Sequence, residues 1–547
     1  MTDWVEAIAI GDLLLRTAER RPDHEALVFP YARYTYDEVR AHALRAARSL
    51  AGLGVGKGDH VGLLMPNCPD FVFTFFGAQL LGAVVVPINT RFRTRELAYV
   101  VENADLSVLV TSDIVAEHVD LFARLSESLP ELGEAADPFD LRLTAAPRLR
   151  SVVLLGDREP PGVVSRRRFE ALADEVAEAE VLTARARVRL RDIALMPYTS
   201  GTTSQPKGCL LTHEALVRDW VSAGRRLTVT ADERFWDPLP MFHMSAIGPL
   251  LFCFELGAAF LSMTHFEAGA ALEMIERERA TWVYPAFPPI TMALIRHPDF
   301  ATRDLSRVRA LLNVAPPDTM RVMQDAFPQA VQINCFGMTE AAGVITFNDF
   351  DDTPDQRAET CGRPLPGVEV RAVDPDTGLE VPPGELGELQ VRGFGLLEGY
   401  YKDPEKTRAT IIDGGWLRTG DMGTVDADGR VTYVTRLKDM LKVGGENVAP
   451  AEIESHLSTH PAIQLVAVVG APDERLVEVP AAFVQVAEGH TLTEQEVIDY
   501  CRGAIAAFKV PRYVRFVREW PMSATKIQKY KLREQIAEEL RARVPAP

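Results

Sequence analysis

The sequence predicts an α/β chain: a large N-terminal domain of doubly wound β-sheets with a β-barrel-like subdomain, over 1–437, and a small mobile α+β domain over 438–547. Three observations predict it. Helical stretches alternate with short β-branched runs over 35–115 and again over 190–345, the pattern of βαβ units feeding a mostly parallel sheet. Between 360 and 435 the texture changes to short strands punctuated by Gly, Pro and Asp-Gly turns, as in antiparallel β structure. Beyond Arg436 lie six of the ten lysines, at 438, 442, 509, 526, 529 and 531, so this last unit brings cationic groups to a site on the larger body.

The elements follow in order. A helix is expected over 37–50, then strands at 61–64, 84–86 and 108–111. The longest uncharged run, 71–90, is interrupted by Gln79, Gly82, Pro87 and Asn89 and reads as a buried helix followed by a Val-rich strand. A membrane span needs about 20 predominantly apolar residues, so no transmembrane segment is expected there or over 238–254. The charged, Ala-rich stretch 115–190 reads as helix and connecting loop. Apolar segments near 193–198, 258–263, 281–284, 308–313 and 330–335 then alternate with helical stretches such as 268–279, giving a second doubly wound layer. Asp413-Gly414 and Asp428-Gly429 mark hairpin turns. In the last unit a Lys-rich loop precedes a helix at 451–457, strands at 465–469 and 481–486, and a helix over 494–507.

Composition narrows the function. With 547 residues, 47% hydrophobic and 25% charged, the chain can bury sizeable cores, which excludes wholesale disorder. A net charge of −18 argues against a nucleic-acid partner, while leaving room for an anionic small molecule held by local cations and helix N-termini. The six cysteines never come within four residues of one another, so no CxxC or zinc ribbon can be drawn, and the N-terminus lacks a basic, apolar signal peptide. A cytoplasmic location is expected. A homodimer is compatible with the sequence, although no segment marks an interface.

Four motifs carry chemistry. The run Tyr198-Thr199-Ser200-Gly201-Thr202-Thr203-Ser204-Gln205-Pro206-Lys207-Gly208 follows an apolar strand and offers backbone N–H groups, hydroxyls and one ammonium to phosphate oxygens; it is not a Walker A loop. Phe336-Gly337-Met338-Thr339-Glu340 stands just beyond another apolar strand, where open sheets bind ligands, and makes Glu340 a candidate oxygen ligand for Mg²⁺. Trp416 to Asp421 and Arg436 to Asp439 flank a hairpin signal, so Asp421 and Arg436 can meet, and a carboxylate there accepts two ribose hydroxyls well. Lys526 sits in a short loop before a basic helix. Glycine-rich stretches at Gly52, Gly54, Gly56 and Gly58, and at Gly393, Gly395 and Gly399, lack the dinucleotide spacing and read as turns.

Together these motifs, in this order, resemble the adenylate-forming superfamily of acyl-CoA synthetases, peptide-synthetase adenylation domains and firefly luciferase. The likeness also takes in Tyr34-Thr35-Tyr36, Gly82-Ala83-Val84-Val85-Val86-Pro87, Leu239-Pro240-Met241-Phe242-His243, Gly384-Glu385-Leu386-Gly387-Glu388 and Arg436 to Asn447, nearly the whole chain. The resemblance implies that Thr199, Ser200, Gly201, Thr202, Thr203 and Lys207 cradle the ATP phosphates, with Thr202 and Glu340 on Mg²⁺ and Thr339 near the α-phosphate. Phe336 would stack on adenine, alongside Ala315, Gly337 and Met338. Asp421 and Arg436 would hold the ribose, and His243 would sit beside the reacting carboxylate. Lys526 would reach from the small domain to the carboxylate and α-phosphate. Lys438 would be the hinge about which that domain rotates, and Gly444 and Gly445 would line the pantetheine tunnel of CoA.

The acyl pocket is expected among Trp236, His243, Met244, Tyr284, Phe287, Val314, Met338 and Ala342, mostly apolar, which favours an apolar carboxylic acid over an amino acid. Four positions depart from the family pattern: Ser204 for a glycine, Phe336 for a tyrosine, Leu312-Asn313-Val314-Ala315-Pro316 for a Ser-Gly-Gly type of adenine loop, and Thr525 where a glycine precedes the lysine. The leading reading is an ATP- and Mg²⁺-dependent acyl-CoA synthetase that forms acyl-AMP, releases pyrophosphate and passes the acyl group to CoA. Two alternatives stay open: a ligase that loads a carrier protein, and a catalytically quiet nucleotide-binding paralogue.

Overall fold

The computed structural model describes residues 6–199, 205–443, 446–473, 475–523 and 526–543, with the side chains of 446, 447, 523, 526, 542 and 543 outside the description. Two largely parallel sheets form the main body. In one, Val164–Ser165, Ser151–Leu155, Val108–Ser112, His60–Leu64, Val84–Pro87 and Ile193–Leu195 run parallel, and Lys207–Thr212 and Gly399–Tyr400 add antiparallel strands at the edge. In the other, the order is Val331–Ile333, Ala310–Asn313, Trp282–Ala286, Arg234–Trp236, Ala259–Leu261, Glu25–Phe29 and the antiparallel Ala32–Thr35.

Strands buried on both faces need helices to cover them, and the sequence supplies two that are apolar all round. Pro69–Leu81 is buried everywhere but at Asp70, and Met244–Leu256 along nearly all of its length. They meet where Phe76 and Phe254 stack with ring centroids 4.9 Å apart, and one continuous core joins side chains of both sheets. An antiparallel sheet of Val368–Val373, Gly387–Gly393, Trp416–Val425, Val431–Arg436 and Ile411–Ile412 forms the third layer.

The small C-terminal unit pairs Glu446–Val448, Leu441–Val443, Val477–Val486, Ile463–Asp473 and Tyr513–Phe516, and packs Pro450–Ser458, Glu494–Cys501 and Lys529–Arg543 against them. Helix Pro450–Ser458 rests on helix Pro317–Ala326 of the large body, with Ser455 Oγ donating to Asp318 Oδ2 at 3.3 Å. Among the described residues no helix is long and apolar enough to cross a membrane.

Three expectations are corrected. The stretch 115–190 is not only helix and loop: Ser151–Leu155 is a strand with all five side chains buried, so it shows no alternation to read. Arg234–Trp236, only three residues long and too short to carry a period, is the inner strand joining Trp282–Ala286 to Ala259–Leu261. The helix expected over 494–507 stops at Cys501, because Arg502 leaves helical geometry and Gly503 turns left-handed at φ 79°.

Candidate active site

Strand Val331–Ile333 ends at the sheet edge, and the chain runs on through Cys335–Phe336 into the turn Thr339–Ala341 that carries Glu340. Gly337 is forced here: a Cβ would lie 2.2 Å from the Gly343 carbonyl oxygen. Glu340 Oε1 accepts a hydrogen bond from the Tyr400 hydroxyl at 2.9 Å, and the Glu340 carbonyl accepts from Leu397 N at 2.9 Å. Burial first, and the Glu340 carboxylate next to it, raise the Tyr400 phenol well above its ordinary range, so it remains a donor.

Lys207 arrives at the same place from the other sheet. Its strand pairs antiparallel with Tyr198–Thr199, Lys207 directly opposite Thr199, so the ends of the hydroxyl-rich loop are fixed by a ladder. The ammonium is 3.2 Å from Asp403 Oδ2 and 5.9 Å from the Tyr400 ring centroid. Lys207 and Glu340, a cation and a carboxylate, thus both meet one tyrosine, the cation over its ring and the carboxylate at its hydroxyl. Ser200, Gly201, Thr202 and Thr203 fall outside the described residues.

Asp421 and Arg436 are direct partners across their hairpin, with Arg436 Nε 3.0 Å from Asp421 Oδ1. Burial works against the guanidinium charge, but Asp421, Tyr433, Glu340 and Asp439 more than offset it and hold Arg436 above its ordinary value. The field of Glu340 therefore reaches this pair. Tyr433, from the same hairpin, stacks on Phe336 at 6.0 Å with the rings 23° apart.

His243 stands at the N-cap of helix Met244–Leu256, its ring 4.7 Å from that of Phe242. The preceding loop is pinned by buried Asn67: its Nδ2 donates to Leu239 O at 2.7 Å and Ser262 Oγ at 3.1 Å, and its Oδ1 accepts from Met241 N at 2.8 Å. The expected pocket walls Met244, Tyr284 and Ala342 are buried in one cluster, against which Phe287 and Met338 are half-buried, and Val314 is 39% exposed. Ala315, Met338 and Thr339 are half-buried and Gly337 is exposed.

Trp236 is a correction. It packs with Val28, Leu261, Leu272 and Val283, whereas its strand neighbour Phe235 packs in the cluster of Met244 and Tyr284. Successive strand residues face opposite sides, so Trp236 belongs to the far face of the sheet and lines no pocket beside Met244.

Lys438 lies in the turn Leu437–Asp439 between the two units; burial, then Arg436, lowers its ammonium pKa. Arg533 Nη1 of the small unit donates to the Lys438 carbonyl at 3.3 Å. The Lys526 backbone pairs with Ser523 in a two-strand hairpin, but its side chain, like Ser204, Gly444, Gly445 and Thr525, lies outside the description. Sequence reasoning missed Tyr400, Asp403 and Tyr433. The sequence pattern marks only the neighbouring Gly399, as the end of a glycine-rich turn.

The AMP-binding enzyme family matches residues 14–401, and the AMP-binding enzyme C-terminal domain matches residues 452–526. The chain belongs to the AMP-binding enzyme family. It is 37% identical to YngI of Bacillus subtilis (strain 168) over 97% of both chains, and 33% identical to the mitochondrial medium-chain acyl-CoA ligase ACSF2 of Mus musculus, over 97% of this chain and 88% of the relative. Its fold matches the crystal structure of the anthranilate CoA ligase AuaEII in complex with anthranoyl-AMP, with a TM-score of 0.86, 30% identity and 99% of each chain covered. This AMP-binding enzyme is thus an adenylate-forming ligase of the acyl-CoA synthetase type, and enzymes of the family use ATP, Mg²⁺ and CoA. The donor set fits: a hard carboxylate oxygen at Glu340 suits Mg²⁺, and Lys207 with Arg436 supplies local cations in an acidic protein.

Proposed function

We propose that this enzyme activates an apolar carboxylic acid as acyl-AMP, releasing pyrophosphate, and transfers the acyl group to CoA. The observation that carries the reading is that Tyr400 joins Lys207 to Glu340, that Glu340 also acts on Arg436 of the Asp421–Arg436 pair, and that the buried Ala342 follows Glu340 by two residues. A carboxylate attacking the α-phosphorus brings two anions together, so the reaction depends on cations and donors positioned beforehand. In this reading Lys207 holds the β- and γ-phosphates, Thr339 lies near the α-phosphate, and Asp421 with Arg436 fixes the ribose. Mg²⁺, when bound through Glu340 and Thr202, offsets phosphate charge. Phe336 takes the adenine, His243 orients the acid, and Lys526 neutralises the entering and leaving oxygens. The second step follows rotation about Lys438, with Gly444 and Gly445 admitting the pantetheine arm.

An apolar acid agrees with the medium-chain acyl groups named for one relative. Mass spectrometry of the protein with ATP, Mg²⁺ and pooled carboxylic acids, with and without CoA, tests the reading. Acyl-CoA formed only with CoA, and acyl-AMP accumulating in its absence, is the expected result. Acyl-AMP that CoA leaves unchanged would assign the acceptor to a carrier protein, and no product with any acid would overturn the reading.

A further inference from the structure

Helix His213–Arg226 packs along Met244–Leu256, and Trp220 projects between that second helix and the 341–343 turn. The indole is 2% exposed, and its Nε1 donates to the Ala342 carbonyl at 2.8 Å. Two glycines make room for it. A Cβ at Gly248 would lie 1.9 Å from Trp220 Cε2, and one at Gly343 would lie 2.7 Å from Cζ2 and 3.0 Å from Met244 Cβ. The indole is therefore locked by a hydrogen bond to Ala342 and by close approach of Gly248 and Gly343, and the Gly343 Cα separates it from Met244.

Burial across these walls forms a gradient. Val314 is 39% exposed, Phe287 and Met338 are half-buried, Met244 is 5% exposed and Ala342 is fully buried. Trp220, itself 2% exposed, stands against Ala342 and Gly343 at the buried end of this range.

We propose that Trp220 is a specificity-determining residue that ends the acyl pocket, so that this enzyme takes short- to medium-chain or single-ring acids and excludes long-chain ones. This rests on the reading that the acid lies between Met244 and the 338–343 turn. A pocket with a floor gains nothing from methylenes that cannot enter, whereas an open one gains about fourfold in binding for each methylene buried.

The test compares kcat/KM for butanoate, octanoate, dodecanoate, hexadecanoate and benzoate in the wild type, Trp220→Leu and Trp220→Phe. Melting curves report whether each variant folds. The wild type is expected to prefer octanoate or benzoate, and Trp220→Leu to raise the hexadecanoate-to-octanoate ratio at least about tenfold, with KM for ATP unchanged. If Trp220→Leu does not fold, binding of butanoyl-, octanoyl- and hexadecanoyl-sulfamoyl adenosine to the wild type decides: affinity should stop rising beyond octanoyl. Affinity that keeps rising, or a chain-length profile unmoved in folded Trp220→Leu, overturns the proposal. Absence of activity with every acid would instead overturn the function on which it rests.

Discussion

The Tyr400 hydroxyl donates to Glu340 Oε1 across 2.9 Å, while the Tyr400 ring faces the Lys207 ammonium at 5.9 Å. One side chain thus organises a carboxylate contributed beyond one sheet and a cation contributed by the other. A hydrogen bond to a charged group contributes about 1.5–3 kcal/mol. Tyr400→Phe should lower kcat/KM for ATP roughly tenfold, and Glu340→Gln roughly a hundredfold, in a pyrophosphate-release assay. Because the two act as one unit, the double variant should be little worse than Glu340→Gln. Strict additivity would show that they act separately.

Asp421 has a 4% exposed side chain paired with Arg436, the geometry expected of a group that takes ribose hydroxyls. Asp421→Asn keeps its shape but weakens its acceptance of hydrogen bonds, so KM for ATP should rise about tenfold with a smaller change in kcat. The wild type should discriminate against 2′-deoxy-ATP and the variant should not. Equal discrimination by both would remove Asp421 from the ribose.

Lys526→Ala should slow acyl-AMP formation by about 10² to 10³, the usual cost of one preorganised donor. Thioester formation from supplied acyl-AMP should be nearly unchanged. Separate stopped-flow measurement of the two half-reactions checks this, and equal losses in both would contradict it.

Lys438→Pro fixes φ at the turn between the two units. If rotation about this residue separates the half-reactions, adenylation should survive and transfer to CoA should fall by at least about tenfold. Retained transfer would place the hinge elsewhere.

Two buried carboxyls should make stability depend on pH. Burial raises both Asp219 and Asp237 well above the ordinary carboxylate value; the Val344 N–H only partly offsets it for Asp219, and the Leu239 N–H only partly for Asp237. Above the unfolded value of about 4, the folded state holds protons that the unfolded state has released. Stability is therefore full below that pH and falls as pH rises toward the folded pKa values, by up to about 1.4 kcal/mol per pH unit for each group. Asp219→Asn and Asp237→Asn should flatten this slope, raising Tm relative to the wild type more at pH 8 than at pH 5. Parallel melting profiles would mean that both carboxyls are ionised in the fold.

Local features were the most legible. Pro69–Leu81 shows itself through a predominantly apolar composition, and the Asp421–Arg436 pairing through Asp428-Gly429 at the head of its hairpin. Ser151–Leu155 was not legible, because a strand buried on both faces carries no alternation. Trp236 was misplaced because the sequence gives no sign of which side of the sheet bears the ligand.

By itself, the sequence determined the α/β class, the order of the motifs and the chemical groups available: a hydroxyl-rich run ending at Lys207, a carboxylate at Glu340, and an Asp-Arg pair across a hairpin. These depend on composition and short-range spacing, which are written along the chain. Only the tertiary structure decided that Tyr400 completes the Glu340 site, that Tyr433 covers Phe336, and that Trp220 lies between Gly248 and Gly343. Those contacts join segments far apart in sequence, and their geometry is set by how two sheets and the helices packed on them fit at close-packed density.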